Sequence, residues 1–164
     1  AAHRYRVTLV VPAPAAEQGL SLPVWIPGSY MVREFGRHLI GLQARQGRNE
    51  ATLDQVDKTT WLARCSGRAA LTVSYEVYAF DTSVRTAFLD DSRGFFNPTS
   101  LCLRVHGREA EPHELQFTEL PAGWEVATVM VSDRQPFGTP VFLAARSPDG
   151  EILAFRTQVG GMGF

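Results

Sequence analysis

Leu71-Thr72-Val73-Ser74-Tyr75-Glu76-Val77-Tyr78-Ala79-Phe80 is the stretch that decides the fold. Leu71, Val73, Tyr75 and Val77 fall on one face of an extended chain, and Thr72, Ser74, Glu76 and Tyr78 fall on the other. Successive side chains leave a pleated strand on opposite sides, so a period of two marks a strand with one buried face. The inner series is largely β-branched and aromatic, which suits that pleated surface.

The same period recurs on both sides of it. Arg4 to Val11 sets Tyr5, Val7 and Leu9 against Arg4, Arg6 and Thr8, and ends at Pro12-Ala13-Pro14. Leu20 to Ile26 is stopped by Pro27-Gly28. Thr60 to Cys65 meets the deciding strand through Ser66-Gly67-Arg68, a link that suits a hairpin. Ser100–His106, Glu114–Thr118, Trp124–Val131, Val141–Arg146 and Ile152–Val159 follow, and Ser147-Pro148-Asp149-Gly150 has the chemistry to reverse the last two into a hairpin. Helical signal is confined to Ser29–Ile40, with Ser29 as N-cap and Met31, Phe35 and Leu39 at near-helical spacing; Gly36 and the Pro-Gly start keep it short. Eight or nine strands predict an all-β fold, an antiparallel β-sandwich or saddle with at most one short helix. Without a repeat or linker, positions 1–164 are expected to form a single domain.

Composition bounds the function. The chain has 164 residues, 45% hydrophobic and 20% charged, so it buries a core without a staple. Its 16 basic residues offset 17 acidic ones, leaving no field to attract nucleic acid or an anionic membrane, and neither partner is expected. Lys58 is the only lysine. Cys65 and Cys102 read as separate thiols acting as small hydrophobes, with one disulfide as the alternative. No signal peptide is visible and no stretch nears the ~18–20 apolar residues of a spanning helix, so the cytoplasm is the expected compartment.

No motif carries catalysis. His113-Glu114-Leu115-Gln116-Phe117 lacks the second histidine of H-E-x-x-H, and it alternates like a strand. His3, His38 and His106 stand apart from carboxylates at ligand spacing. No catalytic residue, metal ligand or cofactor is expected in the chain. Two segments stand out instead. Trp25-Ile26-Pro27-Gly28-Ser29-Tyr30-Met31-Val32-Arg33-Glu34-Phe35 turns sharply and carries Tyr30, Arg33 and Glu34 on a constrained loop, a set that suits a small zwitterionic or peptidic ligand. The structural alternative packs Tyr30 and pairs Arg33 and Glu34 locally or with neighbouring strands. Tyr78-Ala79-Phe80-Asp81-Thr82-Ser83-Val84-Arg85 ends in turn formers, and Arg85 is offered to Asp81 or Asp90. Its structural alternative is a capped turn with one ion pair.

Together these segments resemble the N-terminal domain of M61-family (glycyl aminopeptidase-type) metallopeptidases. W-I-P-G-S-Y-x-x-R-E-F at 25–35, D-x-S-V-R at 81–85 and G-F-F-N at 94–97 carry the likeness. So do Asp57-Lys58-x-x-Trp61, Tyr75-Glu76-Val77-Tyr78-Ala79, Leu101–Gly107 and Gly123-Trp124-x-Val126-Ala127-Thr128, in the same order. It covers about 3–129; positions 132–164 are left unassigned, where the family runs on through an acidic segment. The resemblance implies that this β domain precedes a zinc-dependent catalytic domain with H-E-x-x-H, absent here and expected in cis, in an aminopeptidase that prefers small N-terminal residues. Zinc is expected only in that domain.

Two functions follow. The first is a non-catalytic accessory domain that helps shape the cleft for a peptide substrate, with Tyr30, Arg33, Glu34, Asp81 and Arg85 at the interface or substrate. Arg33 or Arg85 would meet a peptide carboxylate or carbonyl, and Glu34 a free α-amine. The second is a free-standing β-sandwich binding module for a protein or carbohydrate partner, marked by exposed aromatics among Trp25, Tyr30, Phe95, Phe96 and Phe137. A scaffold with no site is the third, blander reading. A contiguous apolar patch beside the 27–35 loop favours the first; an aromatic groove favours the second.

Overall fold

In the computed structural model the described residues are 2–26, 31–128, 141–145 and 153–159. In chain order the strands are β1 (Arg4–Val11), β2 (Glu17–Ser21), β3 (Leu39–Gln46), β4 (Asn49–Glu50), β5 (Leu53–Gln55), β6 (Thr60–Arg64) and β7 (Leu71–Tyr78). They continue as β8 (Ala87–Leu89), β9 (Gly94–Phe96), β10 (Arg104–Val105), β11 (His113–Glu119), β12 (Trp124–Thr128), β13 (Val141–Ala145) and β14 (Leu153–Val159). Nine of these have five residues or more, and the rest are two- and three-residue pieces. A 3₁₀ turn, Phe35–His38, and one short helix, α1 (Pro98–Leu101), complete the described elements. The architecture is all-β and mostly antiparallel, as the alternation predicts.

The strands form three sheets, ordered β11-β14-β1-β7-β3-β4, β10-β2-β6-β5 and β12-β13-β9-β8. β1 and β7 pair antiparallel with Tyr5 opposite Val77, Val7 opposite Tyr75 and Leu9 opposite Val73. That register puts both apolar series on one face. All of Tyr5, Val7, Leu9, Val11, Leu71, Val73, Tyr75 and Val77 are buried. Leu20, Trp61 and Ala63 from the second sheet and Leu89, Phe96 and Trp124 from the third join the same core. Each fully buried aliphatic side chain contributes roughly 1.5–3 kcal/mol.

Several sequence expectations change. Pro23 has no amide hydrogen to offer a ladder, and the second strand lies earlier, at Glu17–Ser21 rather than Leu20–Ile26. Among its described residues the 29–40 segment holds only one 3₁₀ turn; Ser29 lies outside them, and Leu39 begins β3. Gly36 is required there, since an added Cβ would stand 2.7 Å from the Lys58 carbonyl oxygen. Residues 100–106 are not one strand: Asn97 accepts the Thr99 amide, Pro98 sits in the first turn, and α1 forms before the short β10. Neither expected hairpin forms. β6 and β7 lie in different sheets, as do β13 and β14. The 147–150 turn lies outside the described residues. β14 instead pairs parallel with β1 and antiparallel with β11.

Candidate interface and aromatic pocket

The two segments singled out above approach each other at the end of β7. Upstream, the Arg33 amide donates to the Val24 carbonyl at 2.7 Å, tying the residues that flank 27–30. Arg33 is half-buried and Glu34 is exposed. Glu34 caps no amide of the 3₁₀ turn; its Oε1 meets Lys58 Nζ at 2.9 Å, and that hydrogen bond holds the carboxyl below its usual range. Tyr30 lies outside the described residues.

Downstream, residues 81–86 form a tightly capped turn. Asp81 Oδ1 accepts the Ser83 amide at 2.8 Å, and Ser83 Oγ accepts the Arg85 amide at 3.3 Å. The Thr86 hydroxyl is shared between the carbonyls of Asp81 and Ser83, at 3.2 and 2.9 Å. Asp81 therefore works on the backbone, and Asp90 does the same for Ser92 and Arg93. Arg85 is exposed on the turn. This is the capped turn of the structural alternative for the 78–85 segment, with Asp81 and Asp90 accepting backbone amides.

A cavity of ≈ 50 Å³ joins the two regions, lined by Phe35, His38, Tyr78, Phe80, Asp81 and Thr86 among others. The Tyr78 and His38 rings stand 6.5 Å apart at 31°. Phe80 stacks on Phe88 at 5.3 Å and meets His3 at 4.0 Å. Arg37 Nε donates to His38 Nε2 at 3.1 Å. Burial pushes the His38 pKa below its ordinary value, the Arg37 charge lowers it further, and the nearby Asp81 carboxylate opposes both. Of the five residues named from sequence, Asp81 lines this cavity, while Arg33, Glu34 and Arg85 lie on the flanking segments. Sequence reasoning missed His38, Phe80 and the role of Tyr78. The signal was available for Tyr78, an aromatic on the outward face of β7.

Exposed apolar side chains surround these segments: Trp25 at 53%, Met31 at 65% and Val32 at 72% beside the loop, Val84 at 65% on the turn, and Phe80 at 52%. Among the other aromatics weighed above, Phe96 is buried and Phe95 half-buried, while Phe137 lies outside the described residues. His113–Phe117 is part of strand β11, so it lacks the helical turn that would bring positions 113 and 117 together. Among the described residues no three His, Cys, Asp or Glu side chains converge as metal ligands. No helix among them is long and apolar enough to cross a membrane. Both cysteines are free thiols; Cys102 is buried, which pushes its pKa up to about 12.

The family model of the peptidase M61 N-terminal domain matches residues 1–148. The chain belongs to that family. The match to the M61 N-terminal domain continues past the 3–129 span legible in the sequence and takes in β13. Among solved structures, an aminopeptidase N family protein from Idiomarina loihiensis is similar, with TM-score 0.69 and 35% identity over 87% of this chain. This M61 N-terminal domain spans 27% of that protein's chain. No curated protein matches it.

Proposed function

We propose that the chain, folded as one domain, is the non-catalytic accessory and substrate-recognition domain of an M61-type zinc aminopeptidase that acts on peptides with small N-terminal residues. The family match over residues 1–148 carries this reading, because it makes a peptidase domain in cis the natural partner. The exposed Trp25, Met31, Val32 and Val84 support it: apolar side chains clustered on two adjoining segments are what a domain interface covers. Tyr30, Arg33, Glu34, Asp81 and Arg85 border that surface in this reading. Arg33 or Arg85 meets a substrate carbonyl or carboxylate, and Glu34 exchanges Lys58 for the α-amine. In this reading zinc belongs to the catalytic domain.

The test is steady-state kinetics of the full-length protein with Arg33→Ala, Glu34→Ala and Arg85→Ala combined. A charge-assisted contact to substrate is worth ~1.5–3 kcal/mol, so kcat/KM for glycyl and alanyl peptides is expected to fall by tenfold or more. Unchanged kcat/KM would remove these residues from substrate recognition.

A further inference from the structure

His38 is held in a state that a proton would undo. Arg37 Nε donates to its Nε2 at 3.1 Å, and a guanidinium has only donors, so this nitrogen must keep its lone pair for the bond to exist. The ring is half-buried in the wall of the ≈ 50 Å³ cavity, with Phe35 and Val77 also lining it. The backbone is fixed as well, since the next residue, Leu39, opens β3 opposite Val77. Few charged or titratable groups face this imidazole. Its own turn brings Arg37 and Glu34, and Glu34 is engaged with Lys58. β7 presents Tyr78, and His3, packed against Phe80, is engaged with the Leu89 carbonyl. Thr86 and Ser100 bring hydroxyls that already donate to backbone carbonyls. Asp81 is the one carboxylate among the described residues that line the cavity. It uses Oδ1 for the Ser83 amide, and a carboxylate also accepts at its second oxygen.

We propose that His38 is a proton-operated latch between the 3₁₀ turn and the 81–86 turn: neutral, it is tied to Arg37; protonated at Nε2, it loses that bond and turns to the Asp81 carboxylate across the cavity. The proton comes from solvent. The imidazolium then has two donors and no acceptor, so it repels the Arg37 charge and attracts Asp81. Burial and Arg37 hold the His38 pKa below its ordinary value while Asp81 opposes them, so the latch operates on the acid side of neutrality. Each end is tied to a segment already described. The 3₁₀ turn follows directly on Arg33 and Glu34, and the Asp81 carboxylate caps the turn that carries Arg85. Any effect of the latch on substrate recognition rests on the accessory-domain reading, whereas the latch itself stands on His38, Arg37 and Asp81 alone.

The experiment is a pH titration of the 164-residue chain followed by heteronuclear NMR. The His38 imidazole, the Arg37 Nε–H and the Ser83 amide are expected to shift with one shared midpoint below about 6.5. Asp81→Asn, whose amide oxygen still accepts the Ser83 amide, is expected to weaken proton binding at His38 roughly threefold, and Arg37→Gln to strengthen it by a similar factor. In His38→Asn the shared step is expected to vanish from Arg37 and Ser83. Thermal melting checks that each variant keeps the fold; if Asp81→Asn melts early, Arg37→Gln, at an exposed position, carries the test. An Arg37 Nε–H or Ser83 amide that ignores the His38 midpoint, a shared step that survives His38→Asn, or a wild-type midpoint in folded Asp81→Asn or in Arg37→Gln would each overturn the latch. Such failure leaves the accessory-domain reading intact, since that is tested by the kinetics of Arg33, Glu34 and Arg85 variants of the full-length protein.

Discussion

Tyr75 buries its ring in the core yet ends in a hydroxyl, and that hydroxyl is used twice. It donates to the Leu101 carbonyl at 2.7 Å and accepts the Leu103 amide at 3.3 Å, fixing the segment after α1 against β7. Tyr75→Phe keeps the packing and strands both backbone groups. It is expected to lower unfolding free energy by ~1–3 kcal/mol with an unchanged denaturant slope, measured by urea titration. His38 gives the pH dependence at this scale. Its folded pKa is lowered by burial and by Arg37, so the folded state disfavours its proton. Its contribution is therefore complete above the unfolded value of about 6.5 and is lost as pH falls through the lower folded value. His38→Asn is expected to flatten the stability–pH curve in that window, and the wild-type ring is expected to titrate below about 6.5 by NMR. The inward position of Tyr75 and the capping role of Asp81 and Ser83 are legible in sequence because both are local. The Glu34–Lys58 pair is not, since it spans 24 positions and depends on how β6 is placed.

At the scale of elements, alternation shows which face of a strand is buried but not which strand lies beside it. β1, β6, β7, β11 and β12 appear where the pattern puts them, whereas the 60–80 and 141–159 hairpins do not exist because their strands join different sheets. β3 was hidden by its weak alternation: four of its eight residues are exposed, and a register shift between Ile40 and Gln43 breaks the period. β14 has the largest consequence. It stands between β1 and β11, and among the described residues β11 has no other strand partner. Removing 153–164 is expected to abolish hydrogen-exchange protection in β11 while protection in β7, paired with β1 and β3, persists. Persistent protection of Leu115 and Phe117 in the truncated chain would show that β14 is dispensable for that edge.

At the scale of the molecule, a closed core coexists with an open flank. Tyr5, Phe96, Leu101 and Leu103 are almost wholly buried, yet Trp25, Met31, Val32 and Val84 face outward on two segments that adjoin one cavity. The family was legible because its motifs are short contiguous stretches, such as Tyr75–Ala79 at the end of β7 and Asp81–Arg85 on the turn after it, that can be read in order along the chain. The cavity was not, because Phe35–His38 leads into β3 and Tyr78–Asp81 leaves β7, two strands that only the fold brings side by side. The central claim is that this domain serves an active centre carried by other polypeptide. Its most direct measurement is kcat/KM of the catalytic domain of the full-length protein toward glycyl and alanyl peptides, alone and with the 164-residue chain added in trans. The expected result is at least a tenfold lower kcat/KM alone, recovered in proportion to the chain bound. A catalytic domain that is equally efficient alone and indifferent to the added chain would contradict it.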